Sequence, residues 1–227
     1  MIWSPGRRYI FIHMPKTGGT AMALALEARA MKDDVMLGDT PKARRRRHRL
    51  AGVQSAGRLW KHSTLADLDG VIPADEIDRA FVFTLVRNPW DRIVSYYFWL
   101  QGQGFDHPAV RRAQSLPFAA FLAHPATQLS IRRQSARDFT TDARGRDCCS
   151  ACIRIEHLAR DIAPLEAHLG FPLAVPRVNE SRRERDWRVY YDADSADLLA
   201  RLSAEDIARF GYGFDDAAAG TAGSAGG

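Results

Sequence analysis

One short segment of this sequence combines residue types that bind phosphate or sulfate. Residues 15–20 bring together a lysine, two threonines and two glycines, and a helix-favouring segment follows at once. Glycines let backbone N–H groups approach an anion, and the N-terminus of a helix favours negative charge. The lysine precedes the glycines and no Gly-Lys-Ser/Thr follows, so this is not a Walker A sequence. The segment predicts an anion cradle, and the alternative is a tight turn that binds no ligand.

A second segment pairs a guanidinium with a hydroxyl. Arg87 directly follows a strand-like stretch, and Ser95 lies eight residues later, about two turns into a predicted helix. The two groups can therefore meet on one phosphate, which arginine binds through two parallel donors. The alternative is a surface ion pair between Arg87 and Asp91, with Ser95 on a polar helix face. Of the 32 basic residues 28 are arginine, which fits an anionic ligand and fits a biased genomic composition equally.

His62 is the candidate for acid–base chemistry. Imidazole titrates near neutral pH, and this histidine follows a short predicted strand. The alternative is a structural histidine. Two other groups lie near the cradle in sequence: His13 either orients the loop or caps a strand, and Glu27 is expected to be a surface charge on the following helix.

Alternating apolar patterns predict the elements that position these residues. The strands are expected at residues 9–12, 59–61, 80–86 and 153–155, and the main helices at 21–31, 89–100, 117–123, 158–169, 193–202 and 203–210. This alternation predicts an α/β domain with a mostly parallel sheet and right-handed crossovers. Ligands bind beyond the carboxyl ends of strands in such sheets. The cradle, His62 and Arg87 all follow predicted strands, so we expect them to converge at that edge.

Composition narrows the class of protein. With 227 residues, 46% hydrophobic residues and 26% charged residues, the chain suits a single folded domain, predicted over residues 1–214, with a disordered Gly/Ala-rich tail at 215–227. No apolar run approaches the roughly 20 residues that cross a bilayer. No signal peptide is predicted, and three clustered cysteines without a second cluster predict reduced thiols in the cytoplasm rather than a metal site.

The segments HMPKTGGTAM and TLVRNPWDRIVSYY resemble the two signature elements of the sulfotransferases that use 3′-phosphoadenosine 5′-phosphosulfate (PAPS). Four segments are similar in sequence to the carbohydrate branch of this family, which includes the uronyl and heparan 2-O-sulfotransferases: PKTGGT, RNPWDR, CIRIEHLARDI and VNESRR. The resemblance implies a P-loop-NTPase-like α/β fold with helices flanking the sheet. It implies that the 5′-phosphosulfate is held by Lys16, Thr17, Gly18, Gly19 and Thr20. Arg87 and Ser95 would hold the 3′-phosphate, and residues 179–183 would form a further loop near the nucleotide.

The implied reaction transfers a sulfuryl group in line to a hydroxyl of a carbohydrate or glycan-like acceptor, with no metal. Lys16 would stabilise charge on the leaving oxygen, and His62 would take the acceptor proton, as a histidine does in the carbohydrate branch. A runner-up is an ATP-dependent nucleotide kinase, which the absent Walker lysine disfavours. A third class is a nucleic-acid-binding module that binds through the arginine run at residues 44–47. The alternatives for this run are a solvent-exposed face and a binding surface for an anionic glycan or for the donor. No nucleic-acid partner is expected.

Overall fold

The computed structural model describes residues 1–176 and 183–216. The chain folds into two compact units, named here the sheet unit and the helical unit. The sheet unit contains residues 1–86 and the described residues from 136 to 176, and the helical unit contains residues 87–135 and the described residues from 183 to 216. Among these residues no helix has both the length and the apolar character needed to span a bilayer.

A five-stranded sheet forms the centre of the sheet unit. Its strands are β1 (Ile2–Ser4), β2 (Tyr9–Ile12), β3 (Val35–Met36), β4 (Phe81–Val86) and β5 (Cys149–Arg154), in the spatial order β3-β1-β2-β4-β5. Strand β2 pairs parallel with β4, and β4 pairs parallel with β5. Strand β1 is antiparallel to both β2 and β3, so it alone opposes the common direction. The predicted α/β class with a mostly parallel sheet is therefore confirmed.

Helices cover this sheet and close its core. They are α1 (Gly19–Ala28), α2 (Pro41–Arg46), α3 (Ala74–Arg79), α8 (Ala136–Thr140), α9 (Leu158–Asp161) and α10 (Ala163–Leu169). All four residues of β2 are buried, as expected for a central parallel strand. In the hydrophobic core, Phe11 and Phe83 of neighbouring strands pack together with their ring centroids 5.1 Å apart. Met22 and Leu26 of α1 belong to the same hydrophobic core.

The helical unit is built around aromatic side chains. Its helices are α4 (Pro89–Gln101), α5 (Pro108–Ser115), α6 (Phe118–Ala123), α7 (Pro125–Arg132), α11 (Ala193–Leu202) and α12 (Ala204–Phe210). Asn88 begins α4, because its side chain accepts a hydrogen bond from the backbone N–H of Trp90 and Pro89 occupies the first turn. The Trp90 ring stacks on Trp187 at 6.3 Å, and its indole N–H donates to the carbonyl oxygen of Ala196.

The strand predicted at residues 59–61 is wrong. This segment forms turns, and the buried Ser63 hydroxyl accepts from the backbone N–H of Trp60 while lying 2.8 Å from the carbonyl oxygen of Arg58. A side chain that satisfies local backbone groups competes with strand pairing. The helix predicted over 158–169 divides at Ile162, because Pro164 opens a new helix there and cannot donate within the preceding one.

Candidate functional site

The loop after β2 has the backbone shape of an anion cradle. Lys16 has a φ of +65° and Gly18 a φ of +81°, and α1 begins at the next residue. A left-handed lysine costs on the order of 1–2 kcal/mol, so the surrounding contacts must hold it in this conformation. One such contact is made by the fully buried Thr17, whose hydroxyl donates to the carbonyl oxygen of Met14 at 3.0 Å. The backbone N–H groups of Ala21 and Met22 donate to the carbonyl oxygen of Gly18 at 3.0 and 3.4 Å, so the first turn of α1 closes directly on this loop.

The ring of His13 packs against the cradle loop. Its ring stacks on Phe11 with centroids 5.8 Å apart and is almost completely buried. A Cβ atom at Gly19 would lie only 2.1 Å from Cδ2 of His13, so the ring occupies the space that a side chain would need. Burial lowers the pKa of His13 well below its usual range, and the nearby Met1 amino group and His62 act in the same direction. Because burial disfavours its charged form, His13 is a packing residue of the loop, and its ring fills the space beside Gly19.

His62 is held against His13. Its Nδ1 lies 2.7 Å from the carbonyl oxygen of His13, and the two rings meet edge to face at 4.7 Å. Trp60 contacts the His62 ring from another side at 4.9 Å. A carbonyl oxygen only accepts, so Nδ1 must carry the proton and the lone pair of the neutral ring is on Nε2. The structure thus brings together His13, His62 and the cradle, although His62 follows a turn and not the predicted strand.

In the helical unit, Arg87 lies in a buried ion cluster. Its guanidinium Nε donates to Oδ2 of Asp91 at 2.8 Å, and Arg183 contacts Oδ1 of the same carboxylate. The side chains of Asp91, Arg183 and Arg87 are 2%, 6% and 17% exposed. Two guanidinium groups share one carboxylate, so the three groups together carry one net positive charge. The ion pair expected as an alternative for Arg87 is present, but it is buried rather than a surface pair.

Ser95 lies on the same side of α4 as this cluster. It is four residues after Asp91, which places both side chains on one helix face, and it is almost fully buried. Tyr191 contacts the first turn of the same helix, where its hydroxyl donates to the carbonyl oxygen of Trp90 at 2.9 Å. Sequence patterns did not reveal the role of Arg183, because its partner Asp91 is 92 residues away. Arg87 and Asp91, four residues apart, did show their pairing in the sequence.

The expectation for Glu27 has a definite outcome. Glu27 is wrong as a surface charge: it is buried, and its Oε2 accepts from the backbone N–H of Ala43 at 3.3 Å, which fastens α1 to α2. Of the loop at 179–183, only Arg183 lies within the described residues. Within residues 1–176 and 183–216, no group of three or more His, Cys, Asp or Glu side chains is arranged to bind a metal ion.

Comparisons with known proteins found likeness among solved structures and none in sequence. No protein-family profile and no curated protein matches the sequence. Among solved structures, the chain is similar to a crystal structure of mouse sulfotransferase SULT7A1 complexed with PAP, with 16% sequence identity and a TM-score of 0.40. The match covers 92% of this chain and 66% of that chain, so this chain spans about two thirds of its length.

Proposed function

We propose that this protein is a PAPS-dependent sulfotransferase that transfers a sulfuryl group to a hydroxyl of a carbohydrate or glycan-like acceptor. The observation that carries the proposal is the strand, loop and helix unit of residues 9–28, in which Lys16 is held left-handed at the end of a buried parallel strand. The sequence of this unit and that of the RNPWDR segment both resemble sulfotransferase signatures.

The cradle is assigned to the 5′-phosphosulfate of the donor. Gly18 adopts the left-handed conformation that turns the chain into α1, and the helix N-terminus supplies partial positive charge. In the transfer step the sulfur–oxygen bond to the 5′-phosphate breaks while a bond to the acceptor oxygen forms. Lys16 stabilises the charge that develops on the departing phosphate oxygen.

The cluster of Arg87, Asp91 and Arg183 is assigned to the 3′-phosphate. Its net positive charge and the forked donors of arginine suit a phosphate group, and Ser95 adds a hydroxyl on the same helix face. Asp91 fixes the orientation of both guanidinium groups, so little side-chain freedom is lost when an anion binds. Recognition of this 3′-phosphate would let the protein distinguish PAPS from ATP, which lacks it.

His62 is assigned as the general base. The hydrogen bond from Nδ1 to the His13 carbonyl fixes the ring orientation and leaves Nε2 as the atom that accepts the proton of the acceptor hydroxyl. The same bond persists after protonation and stabilises the imidazolium. The neutral, buried His13 supplies a backbone anchor without competing for the proton.

Transfer of radiolabelled sulfate from PAPS to a panel of oligosaccharides, glycolipids and phenols tests this function. We expect label on the oligosaccharides, loss of transfer in K16A, and normal transfer in K32A, which removes an exposed lysine outside the cradle. Transfer to phenols alone would overturn the carbohydrate acceptor and keep the sulfotransferase. Phosphate transfer from Mg²⁺-ATP without sulfate transfer would contradict the proposal and favour the kinase.

A further inference from the structure

Two cysteine thiols lie in contact on the edge strand of the sheet. Cys149 and Cys152 belong to β5, and their Sγ atoms are 3.0 Å apart. Both side chains are partly exposed and reduced. An S–S bond is about 2.0 Å long, so the two sulfur atoms need to approach each other by only about 1 Å.

A β-bulge explains why these residues face the same way. Positions three apart in a regular strand point to opposite faces of a sheet. Here Val82 pairs with Cys149 while Phe83 pairs with Ala151, so Ser150 is an extra residue in β5. The Ser150 hydroxyl accepts from the backbone N–H of Val82 at 3.2 Å and satisfies the group that the bulge displaces. The bulge therefore puts Cys149 and Cys152 on one face.

We propose that Cys149 and Cys152 form a redox-active dithiol that converts reversibly to an intramolecular disulfide by exchange with a small disulfide such as oxidised glutathione. The Cys-x-x-Cys spacing and the exposure of the edge strand both suit such exchange. This site is independent of the sulfotransferase assignment and uses none of its residues.

The exchange proceeds in two balanced steps. One protein thiolate attacks a sulfur of oxidised glutathione, which forms a mixed disulfide and releases one glutathione thiol. The second protein thiol then attacks the protein sulfur of that mixed disulfide and releases the second glutathione. The protein loses two electrons and two protons, and both pass to the two glutathione molecules.

Cys148 serves as an internal control. It is the neighbour of Cys149, but its Sγ donates to the carbonyl oxygen of Arg146 at 3.4 Å. Burial and the carboxylate of Asp142 raise the pKa of the Cys148 thiol to about 11, which disfavours its reactive thiolate. We expect this residue to stay reduced while the other two react.

Counting free thiols in the full-length protein tests the proposal. The reduced protein is incubated with oxidised glutathione, quenched in acid, and alkylated in denaturant before intact-mass measurement. Wild type is expected to change from three alkylated cysteines to one, without bound glutathione, and C148S from two to none. In C149S and C152S the one other thiol is that of Cys148, whose thiolate is disfavoured, so we expect them to retain a glutathione adduct or free thiols.

The cysteine variants show which two of the three cysteines form the disulfide. Tryptic cleavage leaves all three cysteines in one peptide, residues 147–154, so the variants, and not the wild-type map alone, identify the bond. Two thiols remaining in C148S would overturn the proposal. Formation of an intramolecular disulfide in C152S as readily as in wild type would also overturn it, because the bond would then join Cys148 and Cys149. Addition of dithiothreitol should restore all three thiols of wild type.

Discussion

At the scale of single residues, the reactivity proposed for the sheet unit depends on how the imidazole of His62 is held. The carbonyl oxygen of His13 fixes the tautomer of His62, and the rings of His13 and Trp60 fix its plane. A base oriented in this way needs no rearrangement to accept a proton. The contribution of His62 should therefore appear in the chemical step and not in donor binding.

Replacing His62 by asparagine isolates this contribution. The amide N–H₂ of H62N can still donate to the His13 carbonyl, but the base is gone. We expect kcat for sulfuryl transfer to fall about 100- to 10,000-fold, with donor affinity unchanged. Initial rates and calorimetry measure the two quantities, and H48N, which removes an exposed histidine, is the control. Full turnover in H62N would exclude it as the base.

His13 predicts a pH dependence of stability. Its pKa in the folded protein is lowered from 6.5, so below about pH 6.5 the unfolded chain binds a proton that the folded chain does not. Stability is therefore unaffected by this group at neutral pH and is lost as the pH falls, by at most about 1.4 kcal/mol per pH unit. Urea unfolding between pH 7.5 and about pH 5 should show a shallower loss in H13N than in wild type. Equal slopes would refute the assignment.

At the scale of elements, the turn from β2 into α1 depends on a missing side chain. Gly19 leaves the space that the His13 ring fills, and Thr17 fastens the loop to the end of β2. The sequence showed the strand and the helix, since β2 is continuously apolar and α1 is rich in alanine and leucine. It did not show the contact between His13 and Gly19, because ring placement depends on the packing of Phe11 and His62 around it.

The substitution G19A tests this packing. The new methyl group would overlap the ring of the buried His13, so we expect a loss of about 1–3 kcal/mol in unfolding free energy. The double variant G19A/H13A removes the obstacle, and its loss should be smaller than the sum of the two single losses. G104A is the control, because a Cβ there meets no atom within 4 Å. Strictly additive losses would show that the ring does not cause the effect.

At the scale of the whole molecule, part of the arginine content has a structural explanation. Arg144 and Arg146 both pair with Asp78 and Asp142, and Arg154 pairs with Asp161. The run at residues 44–47 spans the end of α2 and a 3-10 turn. Composition alone therefore says little about an anionic ligand, and the argument for one depends on the positions of particular cations.

Sequence patterns predicted the elements better than their arrangement. The apolar runs of β2 and β4 and the helical spacing of α4 were sufficient to place these elements. Strands β1 and β3 have three and two residues, too few for a periodic signal. The pairing of Arg183 with Asp91 joins distant segments, so it could not be read from local spacing.

Nucleotide binding by calorimetry tests the central claim, recognition of a 3′-phosphorylated sulfuryl donor, most directly. Without added Mg²⁺, wild type should bind adenosine 3′,5′-bisphosphate about tenfold or more tightly than adenosine 5′-monophosphate, because the proposal assigns Arg87 to the extra phosphate. R87A should lose most of this preference, because the remaining pair of Arg183 and Asp91 carries no net charge, while R79A, which removes an exposed arginine, should behave as wild type. Equal affinity of wild type for both nucleotides, or tighter binding of Mg²⁺-ATP, would contradict the account.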